Sequence, residues 1–206
     1  MRTLGTARTG TPPPPTASGA PPPAARGERF ADPFTRHLTG HTGSTTEQLR
    51  KRTGAPLRLR LVSQHTASPA DGDAPRPASR TVRRPADTPH LVRVTELLTP
   101  DGITVSRNLV TGPLPATPAI ADAVTRADTP LGPALALAGV HQRRTLLSVG
   151  LTPWPQAPAG PPAVRRSYLL YLADEPPLRV VERFNPAVVP SGTRPGNPAR
   201  PWPVRA

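Results

Sequence analysis

Arg165-Arg166-Ser167-Tyr168-Leu169-Leu170-Tyr171-Leu172, a polar break over residues 173–177, and then Leu178-Arg179-Val180-Val181-Glu182-Arg183-Phe184 is the stretch that decides the fold. It reads as two alternating strands around the turn residues Ala173 to Pro177, a hairpin close to the end of the chain. One acid, Glu182, stands inside the second strand. A carboxylate in that position either points to solvent or lies in a pocket where its proton has chemistry to do, and the two alternatives lead to different functions.

Working outward from this hairpin, Thr145 to Leu151 reads as a further strand. Leu91 to Leu98 and Ile103 to Val110 form another hairpin, joined by Thr99-Pro100-Asp101-Gly102, in which Pro-Asp-Gly supplies the turn. Leu57-Arg58-Leu59-Arg60-Leu61 alternates with period two, leucines inward and arginines outward. Helices fall outside these runs. Asp32-Pro33 suits an N-cap followed by proline in the first turn, with an end near Gly40. Ser44-Thr45-Thr46-Glu47 fits a capping box with Gly54 as the stop. Ala119 to Arg126 and Leu131 to Ala138 also read as helices. Six strands in antiparallel hairpins, with helices outside their alternation, predict an α+β fold.

The remaining sequence is unusual in composition. Proline supplies 33 of 206 residues and aromatics only Trp 2, Tyr 2 and Phe 3. The prolines gather at 11–25, 69–89, 153–162 and 186–203, which marks tails and loops rather than packed elements. The expected organisation is a disordered Pro/Ala-rich leader over 1–28, one domain over 29–190, and a Pro/Arg-rich tail over 191–206. The formal net charge is +13, and of the 26 basic residues all but Lys51 are arginine. Charge of this size is the footprint of a phosphate-binding surface when it is clustered. Here the arginines are spread along tails, loops and strands with no nucleic-acid motif beside them, so no nucleic-acid partner is expected. The absence of cysteine excludes disulfides and thiolate chemistry. With no apolar signal core and no span-length apolar run, the chain is expected to be cytoplasmic, away from membranes, and a monomer or weak dimer.

Few constellations carry chemistry. His37 and His41 stand four apart on a predicted helix, a spacing two zinc ligands use, but neither an acid between them nor a third ligand accompanies them. There is no GxSxG, no glycine-rich phosphate loop and no Ser/His/Asp order. What remains are strand residues: Arg93, with Arg107 opposite it in the middle hairpin, and Arg165, Arg166 and Glu182 in the last. Converging on one face, they would offer planar, permanently charged forks to a small dianion.

From Asp32 to about Pro190 the chain resembles the chorismate lyase (chorismate pyruvate-lyase) family. The resemblance rests on Asp32-Pro33-Phe34-Thr35-Arg36-His37-Leu38, on Thr129-Pro130-Leu131-Gly132, and on Arg165-Arg166-Ser167 through Glu182-Arg183-Phe184-Asn185-Pro186, in that order. It implies a six-stranded antiparallel sheet with flanking helices and a buried ligand pocket under helical flaps. It further implies an enzyme that splits chorismate into a hydroxybenzoate and pyruvate without metal or cofactor. Glu182 then corresponds to the catalytic acid, and Phe34 and Leu131 fall where backbone groups touch the aromatic ligand. The main carboxylate ligand is Arg93 or, by the family register, a position nearer Val94 or Thr95. Arg107 matches a further family arginine, and Arg166 is expected to help hold the substrate. A different reading stays open, because ligand-binding domains of certain bacterial transcription regulators share this architecture. They follow a DNA-reading module that residues 1–28 are not expected to form, which leaves a stand-alone, non-catalytic binder of small aromatic acids.

Overall fold

A computed structural model describes residues 27–67 and 88–194. The expected leader, the 69–89 loop and the tail lie almost wholly outside these residues.

The helix signals work locally as the sequence requires. Helix α1 (Pro33–Gly40) starts at Asp32, whose carboxylate accepts from the Thr35 N–H at 2.8 Å. Helix α2 (Thr45–Thr53) starts at Ser44, whose hydroxyl accepts from Glu47 N–H, and stops at Gly54 with φ +66°. Helix α3 spans Pro118–Thr125 and α4 spans Leu131–Leu137. Helices this short are marginal alone. Full burial of Leu38 and Leu49 in the core contributes about 1.5–3 kcal/mol each and holds the first pair on the sheet.

The strands are β1 (Arg58–Ala67), β2 (His90–Leu98), β3 (Thr104–Pro113), β4 (Gln142–Thr152), β5 (Ala163–Leu172) and β6 (Leu178–Phe184). They form one antiparallel sheet in the order β1-β2-β3-β6-β5-β4, the α+β architecture expected. Strand β6 sits centrally and joins the two hairpins. Strands β1 and β4 run longer than their leucine alternation indicates, because their outer residues pair with β2 and β5 while facing solvent. Both edge strands carry a bulge, at Val62 and Leu147, which explains why these two apolar residues are exposed.

The four helices pack on one face of the sheet in two groups. Helices α1 and α2 cover an apolar cluster that includes Leu97, Val149, Val164 and Phe184. Helices α3 and α4 cover a second cluster that includes Val110, Tyr168, Leu170 and Val180. Between the clusters runs a polar row set by register: Thr95, Asn108, Glu182 and Arg166 on four adjacent strands.

Candidate functional site

The polar row is the floor of a hollow between the two helix groups. Its walls are apolar, from Leu59, Leu97, Val110, Leu131 and Val180, and its rim comes from Ser44 to Thr46 and Pro130 to Gly132. The cavity is about 50 Å³, room for a few waters at roughly 10–15 Å³ each. Small-molecule sites are typically about 300–1,000 Å³, so an organic ligand needs the rim to move.

Glu182 is 5% exposed, on the floor of this hollow. Both its oxygens are engaged: Oε2 accepts from Arg166 Nε at 2.5 Å and Oε1 from the Tyr168 hydroxyl at 3.2 Å. Burial first, and then the Glu182 charge, push the Tyr168 phenol above its ordinary pKa, so it stays a neutral donor. Arg166 is 1% exposed and sits behind the carboxylate. It donates to the carbonyls of Leu38 and His41 and to the Thr45 hydroxyl, tying the α1–α2 turn to the sheet. Its guanidinium is therefore committed to Glu182 and the turn, instead of holding a ligand as the resemblance implies.

Arg93 occupies the next row of the same face, at 1% exposure. Its two terminal nitrogens donate to the carbonyls of Val124 and Arg126, capping the C-terminal end of α3, where a cation also meets the helix dipole favourably. Burial lowers its pKa from the ordinary guanidinium value. Its Nε has no partner among the described residues and is left for the hollow. Arg144, one row further, donates to the carbonyls of Thr42 and Gly43 and to Gln142, and lies 5.6 Å over the Tyr168 ring.

Arg93 Nε, Arg144 Nε and Asn108 Oδ1 are the buried side-chain polar atoms without a hydrogen-bond partner among the described residues, and all three belong to residues lining this one hollow. Buried polar groups are nearly always paired, and each orphan costs about 1–3 kcal/mol. Two donors, one amide and an excess of guanidinium over carboxylate make a setting for a small anion that also carries a hydroxyl.

Of the residues expected from sequence, the structure brings Glu182, Arg93 and Leu131 to the hollow, with Arg166 directly behind. Val94 faces away from it and Thr95 lines it. Arg107 and Phe34 are not among its lining. Arg107 lies on the opposite face, 3.2 Å from Glu96, and its register partner is Glu96 rather than Arg93. The physical reason is a bulge: Leu98 pairs with Thr104 but Leu97 with Ser106, so Val105 is an extra residue that turns Arg107 over. Phe34 packs against the α1–α2 cluster, with the Arg52 guanidinium 5.1 Å above its ring. The His37 and His41 rings are 5.0 Å apart, and among the described residues no group of three or more metal-binding side chains gathers. Sequence reading missed Asn108 and Arg144. The signal for Arg144 was the period-two extension of β4 back to Gln142; for Asn108 only the bulge could have revealed it.

No protein-family model matches the chain, and no relative is found among curated proteins. Among solved structures the chain is similar to PhnF from Mycobacterium smegmatis, at 17% identity over 72% of this chain and 66% of that chain, with a TM-score of 0.48. It is also similar to the effector domain of that protein, at 18% identity over 69% of this chain and 88% of the other, with a TM-score of 0.46. The chain thus spans slightly less than two thirds of the first of these. Likeness this distant carries no argument about ligand or activity. No helix among the described residues is long and apolar enough to cross a membrane.

Proposed function

We propose that the chain binds a small organic anion, of the aromatic hydroxy-acid class, in the hollow over Glu182, and that its role is recognition rather than turnover. The observation that carries this is the convergence of three orphaned buried polar atoms on one cationic, apolar-walled cavity. Anionic and polar oxygens of the ligand would satisfy Arg93 Nε and Arg144 Nε, a hydroxyl would donate to Asn108 Oδ1, and the leucine and valine walls suit a ring. Recognition is favoured because Glu182 has both oxygens occupied and Arg166 is spent on the fold. The small cavity adds to this, since filling it displaces the rim that Arg166 and Arg144 tie down, giving the ligand a structural consequence.

The second reading, elimination of pyruvate from chorismate, draws on the position of Glu182 on the cavity floor. Titration of the purified chain with chorismate and with hydroxybenzoates by calorimetry, with pyruvate assayed in parallel, tests both. Saturable one-to-one binding without pyruvate supports recognition. Pyruvate release that disappears in Glu182→Gln establishes the lyase instead, and no binding of any of these acids at millimolar concentration refutes both.

A further inference from the structure

The face of the sheet turned away from the helices carries a second feature that the hollow does not use, with Gln156 of the β4–β5 connection reaching across to donate to Glu96 at 3.3 Å. Register aligns Arg60, Glu96, Arg107, Arg183 and Arg165 in one row across five adjacent strands, and Arg179 stands on the same face four residues before Arg183 on β6. The spread of these arginines along the sequence conceals this row, which only strand pairing assembles. Glu96 is 2% exposed and pairs with both Arg60 and Arg107, one carboxylate against two guanidinium groups. Arg165, Arg179 and Arg183 are in no ion pair among the described residues, and Arg165 takes only a 3.5 Å contact to the Ser148 hydroxyl. Like charges directly opposite in a sheet are destabilising. Burial is the main cause that lowers the Arg165 pKa, and the Arg179 and Arg183 charges add to it.

We infer that this face is a docking surface for the phosphate backbone of single-stranded nucleic acid. The occupant must be a polyanion from outside the chain. Residues 1–26 hold three arginines and no acid, residues 68–87 four arginines and three aspartates, and residues 195–206 two arginines and no acid. A second copy, at +13, is repelled. Arg165 and Arg183 on neighbouring strands, with Arg179 further along β6, offer guanidinium forks to more than one phosphate of a chain laid across the face. Half-buried Leu109 and Leu169 on the same face offer apolar surface to bases between the charges.

The test is fluorescence anisotropy of a labelled 20-nucleotide oligothymidylate with the full chain across a salt series. Three comparison proteins accompany it: Arg165→Ser/Arg179→Ser/Arg183→Ser; the charge-matched Arg2→Ser/Arg8→Ser/Arg200→Ser; and Arg179→Glu alone, at an exposed position that leaves folding intact. The sheet-face triple is expected to bind at least tenfold more weakly and to lower the salt slope by about two, at roughly 0.7 per phosphate contact. Arg179→Glu is expected to weaken binding several-fold, and the charge-matched triple to bind nearly as the parent. The proposal is overturned by undetectable binding at low salt, by equal losses in the two triples, by parent-like binding of Arg179→Glu, or by polyglutamate of equal charge competing as well as oligothymidylate.

Discussion

Replacing Arg166 by methionine tests how the hollow is built. In the folded protein the Arg166 guanidinium satisfies Glu182, two carbonyls and a hydroxyl of the α1–α2 turn. Arg166→Met leaves Glu182 buried with only the Tyr168 hydroxyl, and strips the Leu38 carbonyl of its side-chain donor. Removing one member of a buried ion pair costs about 3–5 kcal/mol. At about 2–4 °C per kcal/mol for a domain of this size, the melting temperature falls by about 6–20 °C. Glu182→Leu is expected to cost less, since Arg166 keeps three other acceptors. Arg166→Met/Glu182→Leu is expected to recover at least half the loss of Arg166→Met, because no buried charge remains. Urea unfolding of the four proteins followed by circular dichroism gives the coupling energy directly. A loss below about 1 kcal/mol for Arg166→Met, or coupling below about 0.5 kcal/mol, would refute the buried-pair reasoning.

Three further outcomes follow from the geometry. Asn108→Leu removes an unpaired buried acceptor, so unfolding should show little loss of stability while calorimetry shows ligand affinity down about tenfold or more. Glu175 accepts from the Ala116 and Thr117 N–H groups ahead of α3, and its hydrogen bond with Thr117 is the first cause that lowers its pKa. Glu175→Ala should therefore cost about 0.5–1 kcal/mol, a cap-sized loss. A depressed folded value means the stabilisation is complete above the ordinary carboxylate range and lost as pH falls through the folded value, so thermal melts of parent and variant should converge in acid. At Gly112, φ is +154° and an added Cβ would stand 2.8 Å from Leu178 Cδ2, so Gly112→Ala should destabilise by about 1–3 kcal/mol in the same assay.

Local chemistry made much of the fold legible. Asp32, Ser44 and Gly54 bound their helices as their side chains and backbone freedom require, and Thr99 to Gly102 closes the middle hairpin with the Gly102 N–H donating to the Thr99 carbonyl. The site was legible in part, because alternation tells which residues of one strand share a face but not which strand lies beside it. That Glu182 stands between Asn108 and Arg166 depends on β6 pairing with both β3 and β5, a long-range choice with no local signal. The bulge at Val105 exchanged Asn108 for Arg107 over the hollow, and the arginine row on the opposite face came from the same registers. Arg93 was legible as a site residue, while its commitment to the α3 carbonyls depends on where that helix ends.

The most direct measurement of the hollow's role is nitrogen-15 resonance spectroscopy of arginine Nε–H groups during titration with a hydroxybenzoate. The Nε–H signals of Arg93 and Arg144 should shift together and gain protection from exchange, while that of Arg166, already bonded to Glu182, moves little. Saturable binding that leaves both signals unmoved would place the ligand elsewhere and contradict the assignment of the site.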